Sequence, residues 1–150
     1  MKVLIVNHSP TCRYELMEVL VDRNYQFFQA ATGQRAIESA ISNRPHIILM
    51  DAQMPDMDSI ECLRTIKEDA ANERTRIIML GTNLSRNNVR LDLTRRAHRL
   101  GCSDFVKIPL QGNELLMKIE KLERIVEISR ASQLTTNAMA RISLNSNLVP

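Results

Sequence analysis

The chain has 150 residues, 44% of them hydrophobic and 25% charged, with a formal net charge of +3. That length fits one domain with a real core, and the mild positive charge permits an acidic partner without demanding one. Aromatic residues make up 3%, which excludes a stacking platform for single-stranded nucleic acid. Lys2 to Val6 (KVLIV) is a short apolar run rich in β-branched residues and reads as a first strand. Asn7-His8-Ser9-Pro10 breaks it, with Ser9 placed to cap a helix whose first turn begins at Pro10. Leu16, Met17, Val19 and Leu20 give that helix its stripe. Tyr25 to Ala30 is a second strand, and Ala36, Ile37, Ala40 and Ile41 mark a second helix that stops at Asn43-Arg44-Pro45. His46 to Asp51 is a third strand, with a helix from Ile60 to Ile66 after the Pro55 turn. Arg76 to Leu80 is a fourth strand, Val89 to Leu100 a helix closed by Gly101, and Ser103 to Ile108 a fifth strand. A long last helix carries Leu115, Leu116, Ile119, Leu122, Ile125 and Val126.

Strand and helix thus alternate five times. Strands of four to six apolar residues without alternation are buried on both faces, as in parallel sheets. The order predicts an α/β fold, a doubly wound five-stranded parallel sheet in a three-layer sandwich. The reading assigns residues 1–130 to this domain. It treats 131–150, rich in Ser, Thr and Asn, as a tail or linker into which the last helix can extend. No run reaches transmembrane length, and the N-terminus enters a strand directly, without a signal-peptide pattern. Cys12, Cys62 and Cys102 are far apart and lack metal-ligand spacing, which reads as buried or neutral thiols in a reducing cytosol. A cytoplasmic protein is the expectation.

In such sheets chemistry gathers at the carboxyl ends of the strands. Asn7, His8, Asp51, Gly81, Thr82, Lys107 and Ile108 all fall there. The turn after the first strand has no glycine, which excludes a dinucleotide fold, and neither a flavin-type phosphate loop nor a Gly-x-Ser-x-Gly elbow is present. His8, His46 and His98 show no metal spacing to one another. What remains is Asp51, a carboxylate closing a buried strand, with Pro55 turning the chain four residues on.

The segment LMDAQMPDMDS around Asp51 resembles the Asp-x-x-Met-Pro-x-Met-Asp-Gly signature of response-regulator receiver domains, departing only at Ser59. GCSDFVKIP, Gly101 to Pro109, is similar to that family's Gly-Ala-x-Asp-Phe/Tyr-x-x-Lys-Pro. The likeness spans Lys2 to Arg130 and implies a CheY-like, flavodoxin-like fold in two-component or phosphorelay signalling. It further implies that Asp51 is a phosphoacceptor served by a histidine kinase or phosphotransfer protein, and that Phe105 is the aromatic coupling the pocket to the surface. In the family two acids hold Mg²⁺, and a hydroxyl and a lysine grip the phosphoryl oxygens. Those positions fall on Asn7 and His8, on Gly81 with Thr82 beside it, and on Ile108 with Lys107 one residue earlier. Mg²⁺ would be left with Asp51, the Gln53 carbonyl and His8, a poor set for a hard cation.

The expectation is a receiver with an atypical pocket, signalling by protein–protein contact with weak or no phosphorylation. A conventional phosphorylation switch at Asp51 is the alternative, and a small flavodoxin-like enzyme or ligand binder a third. A protonated His8 facing Asp51 could supply the missing positive charge. Arg90, Arg95, Arg96 and Arg99 line the fourth helix, on a face that the resemblance gives to protein contact. An output domain or effector and a second copy of the chain are the expected partners; membrane and direct nucleic-acid binding are not.

Overall fold

The computed structural model describes residues 1–82 and 88–146, and the side chains of 88–91 and 146 lie outside that description. Five strands, β1 (Lys2–Val6), β2 (Gln26–Ala30), β3 (Ile47–Asp51), β4 (Arg76–Gly81) and β5 (Cys102–Lys107), form one sheet in the order β2-β1-β3-β4-β5. Every neighbouring pair is parallel. The helices α1 (Pro10–Val19), α2 (Gly33–Asn43), α3 (Ser59–Glu68), α4 (Asn88–Arg99) and α5 (Glu114–Ser146) follow the strands in turn. The architecture is the doubly wound three-layer α/β sandwich that the strand pattern predicts.

β3 is buried along its whole length and β4 from Ile77 onward, and the pleat sends their side chains alternately to two faces. Leu4, Val6, Ile48, Met50, Ile77 and Met79 meet α2 and α3 through Ala36, Ile37, Ala40, Ile60, Leu63 and Ile66, with Ala97 of α4. Val3, Ile5, Ile47, Leu49, Ile78 and Leu80 are equally buried and occupy the other face, and Leu16 and Leu20 at α1 are buried as well. Ser9 caps α1 by accepting from the Cys12 N–H, and Thr32 caps α2 through the Arg35 N–H. Cys62 and Cys102 are buried and free; loss of hydration pushes their thiols up to about 12 and about 11. Neither ionises near neutral pH.

The chain divides into two compact units, Met1–Leu116 and Met117–Pro150. Within the second, the described residues through Ser146 continue α5, a helix of 33 residues in all. Residues 130–145 of it are exposed on every side. No helix among the described residues is long and apolar enough to cross a membrane.

Element ends differ from the sequence reading by a residue or so. β2 and β3 start one residue later than predicted, and β5 runs Cys102–Lys107 rather than Ser103 to Ile108. A register shift between Ile77 and Ile78 interrupts the β4–β5 ladder.

Candidate functional site

β1 and β3 are neighbours, with Val6 in register with Met50. The residues following Val6 therefore come up beside Asp51. Asn7 is 4% and Asp51 9% exposed, so both polar groups need partners. The Asn7 amide nitrogen donates to Asp51 Oδ2 at 3.1 Å. The Asn7 side-chain oxygen faces the other way and accepts the Ser9 N–H at 2.8 Å. Asp51 Oδ1 accepts the Gln53 N–H at 2.9 Å. His8 Nδ1 stands 3.6 Å from Asp51 Oδ2, with the imidazole side chain 63% exposed. Arg13 of α1 ties the same turn to β2: its Nη1 donates to the Asn7 carbonyl at 2.7 Å and its Nε to Gln29 Oε1 at 3.0 Å. The Cys12 thiol is pushed up by partial burial and then by the Asp51 carboxylate. Neither Arg13 nor Cys12 carries a sequence signal that would have placed it here.

On the far side, β4 ends on buried Gly81 and is followed by exposed Thr82. Asp51 is in register with Leu80, Leu80 with Val106, and Gly81 with Lys107. Phe105 packs against the α2–α3 face of the core and lies edge-on to His98, ring centroids 5.7 Å apart. Alternation along β5 puts Lys107 on the Phe105 face, opposite to Asp51. Ile108 continues the ladder by donating its N–H to the Gly81 carbonyl at 2.9 Å; the same alternation gives it the Asp51 side. The structure thus brings Asn7, His8, Asp51 and Gln53 together, and sets exposed Lys107 apart from them.

The donors do not suit Mg²⁺. That ion takes oxygen ligands in near-octahedral geometry, and Asn7 turns its N–H side toward Asp51 while its oxygen is committed to Ser9. His8 offers nitrogen. Among the described residues no three His, Cys, Asp or Glu side chains converge as a metal site. Asp51 is left as a carboxylate held by neutral donors on both oxygens, with an imidazole at its rim.

A second carboxylate fixes the loop that follows. Asp56 accepts the Gly33 N–H at 2.8 Å and the Gln34 N–H at 3.0 Å, bonding to the start of α2. A Cβ on Gly33 would collide with the Met57 side chain, so the β3–α3 loop packs directly on that helix end. The Gly33 and then the Gln34 N–H hold the Asp56 carboxyl below its ordinary value near 3.8. A group with a depressed folded pKa contributes stability that is present above the unfolded value and is lost as pH falls through the folded one. The Gly33 and Gln34 amide resonances are therefore expected to titrate together with a midpoint below 3.8, read by NMR between neutral and strongly acidic pH. In Asp56→Asn that common titration disappears. Asp56 lies inside the receiver-like motif, yet an aspartate in a turn gives no sign of which helix it will cap.

On α4, Arg96, His98 and Arg99 occupy the last turn, where cations favour the helix dipole. Arg96 also lies 3.9 Å from Asp92. The Arg90 side chain falls outside the described residues.

Residues 3–120 match the family model of the response regulator receiver domain. Sporulation initiation phosphotransferase F of Bacillus subtilis is 31% identical over 120 residues, covering 80% of this chain and 91% of that protein. Chemotaxis protein CheY of the same organism is 30% identical, covering 80% and 95%. Among solved structures, chemotaxis response regulator CheY4 of Vibrio cholerae superposes with a TM-score of 0.71 at 26% identity, covering 81% of this chain and 97% of that one. The response regulator domain of Thermotoga maritima CheB gives 0.65 at 29%, covering 85% and 94%. With its sheet order, its aspartate at the end of β3 and these matches, the chain belongs to the response-regulator receiver domains of two-component signal transduction.

Proposed function

We propose that this receiver transmits its signal by protein–protein contact from a pocket that does not depend on Mg²⁺, with phosphorylation of Asp51 weak or absent. The observation that carries the reading is the Asn7 amide, donating to Asp51 Oδ2 and accepting from Ser9. A carboxylate attacking a phosphoryl group brings negative charge onto negative charge, and cations aimed at the transferring oxygens must offset it. Here the side chains on the Asp51 face offer a neutral amide and an isoleucine, and Gly81 at the end of β4 offers none. His8 is a cationic candidate at the rim, within ion-pair distance of Asp51 when protonated. Phe105, packed on the core and against His98, is the proposed link between the pocket and the β5 surface.

The partners this implies are a histidine kinase or phosphotransfer protein, an output domain or effector, and a second copy of the chain. A cytoplasmic location and a binding role without catalysis of its own belong to the same reading. The conventional switch, with Asp51 as phosphoacceptor, is favoured by one feature: the Asp51 carboxylate lies at the mouth of the sheet and keeps 13% of its surface in water.

Beryllofluoride and acetyl phosphate, each with Mg²⁺, separate the two. The expected outcome is that millimolar Mg²⁺ leaves the Asn7, Asp51 and Gln53 amide resonances in place, and that acetyl phosphate produces no Phos-tag band absent from Asp51→Asn. Saturable Mg²⁺ shifts with a readily formed Asp51 adduct would establish the conventional switch instead.

A further inference from the structure

Beyond Glu127, α5 carries an exposed apolar stripe. Ile128, Leu134, Met139 and Ile142 are 66%, 70%, 67% and 66% exposed. At 3.6 residues per turn, Ile128, Ala131, Leu134, Thr135, Ala138, Met139 and Ile142 share one arc of about 140°. Ser129, Arg130, Gln133, Asn137 and Ser143 fall outside it, as does exposed Leu144. A lone helix in water gains little from propensity and is held by packing of its apolar face.

The spacing within the stripe is more specific than amphipathicity. Ile128, Ala131, Thr135, Ala138, Ile142 and Asn145 recur at intervals of three and four, the a/d repeat of a left-handed two-helix seam. Upstream, the same register falls on Lys121 and Arg124, so the seam begins at Ile128. The stripe is also complementary to itself. In a parallel, in-register pair a g residue faces the e residue five positions on in the other helix. Leu134 then meets Met139 of the second helix. The charged g residues, Glu127 and Arg141, face positions 132 and 146, both serine, so no like charges oppose. Antiparallel pairing over the same segment would press Ile128 onto Asn145. The parallel pair sets Ile128 on Ile128 and Ile142 on Ile142, leaving Asn145 at the open end.

We propose that the exposed stripe of α5, Ile128 to Ile142, is a docking surface for a second copy of this chain, forming a short parallel coiled coil. This deepens the protein-contact reading of the receiver by naming one surface and its occupant. It is independent of whether Asp51 accepts a phosphoryl group, so the Mg²⁺ experiment and this one fail separately. The segment from Ile128 to Asn145 spans about 27 Å. It is shorter than the three to four heptads that mark a sustained coiled coil, and association is expected to be reversible and concentration-dependent.

Sedimentation velocity of the full chain, from low micromolar to near-millimolar, should show a monomer–dimer shift. Ile142→Glu, which sets like charges across the seam, should weaken it about tenfold or more. Ser143→Glu, on the outer face, should leave it unchanged. Ile142→Cys, in a Cys12→Ser background, should give an oxidised covalent dimer at the same concentrations. A chain that is monomeric throughout overturns the proposal. So does a dimer indifferent to Ile142→Glu, or one weakened equally by both glutamates. A dimer that Ile142→Cys fails to cross-link overturns the parallel register. Circular dichroism of each variant checks that α5 is retained.

Discussion

Restoring four side chains together, Asn7→Asp, His8→Asp, Gly81→Thr and Ile108→Lys, is expected to convert the pocket into one that binds Mg²⁺ and takes a phosphoryl group from acetyl phosphate at least about 100-fold faster than the wild type. The magnitude comes from removing one preorganised stabiliser of developing charge, which typically costs two to three orders of magnitude; several are restored at once here. Each position is set by the sheet. Asn7 and His8 follow β1 directly beside Asp51. Gly81 closes β4 next to the Asp51 strand, and Ile108 stands on the Asp51 face beyond Val106. A lysine at 108 would reach where Lys107, one residue earlier on the opposite face, does not.

The same variant should show the complementary cost. Asn7→Asp replaces a donor 3.1 Å from Asp51 Oδ2 by a second carboxylate, and like charges at that separation repel. Without metal, the quadruple variant should melt below the wild type. With millimolar Mg²⁺ it should recover, since a ligand that binds only the folded state stabilises by mass action. Wild-type melting should be indifferent to Mg²⁺. Intact-protein mass after acetyl phosphate, with Asp51→Ala in the restored background as control, measures the gain. Equal phosphorylation of wild type and quadruple variant would mean that the wild-type side chains already suffice.

Much of this was legible from residues alone because the relevant signals are local. Ile47 to Met50 and Ile77 to Leu80 are unbroken apolar runs, and each is buried throughout within its strand. Ser9-Pro10 announced α1, and Ser9 does cap it. The motif around Asp51 named the family. What stayed hidden depends on contacts distant in sequence. Arg13 bonds the Asn7 carbonyl, and Asp56 bonds the start of α2, yet neither residue type in its local context points to such a partner. Asn72 is fully buried, its amide donating to the Ala40 carbonyl, 32 residues away in the chain. The left-handed Arg44 has no glycine or asparagine to signal it. The reach of α5 to Ser146 was equally faint, because Ser, Thr and Asn favour helices weakly.

Leu63→Ala is expected to cost about 3 kcal/mol of folding stability, within the range of about 2 to 5 for buried leucines. Leu134→Ala, at concentrations where the chain is monomeric, should cost less than about 0.5 kcal/mol. Leu63 of α3 is 0% exposed and Leu134 of α5 is 70% exposed. Removing the same atoms therefore opens a cavity at one site and none at the other. The difference bears on the pocket as well as on the fold. The core that holds Leu63 also supports Ala52, Met54 and Met57, which carry the loop after Asp51. Loosening that core should free the loop before the sheet opens, since local openings cost less than global unfolding. Urea denaturation should show a lower midpoint at unchanged m-value for Leu63→Ala. Hydrogen exchange at Gly33 and Gln34, whose N–H groups are held by Asp56, should accelerate in that variant alone.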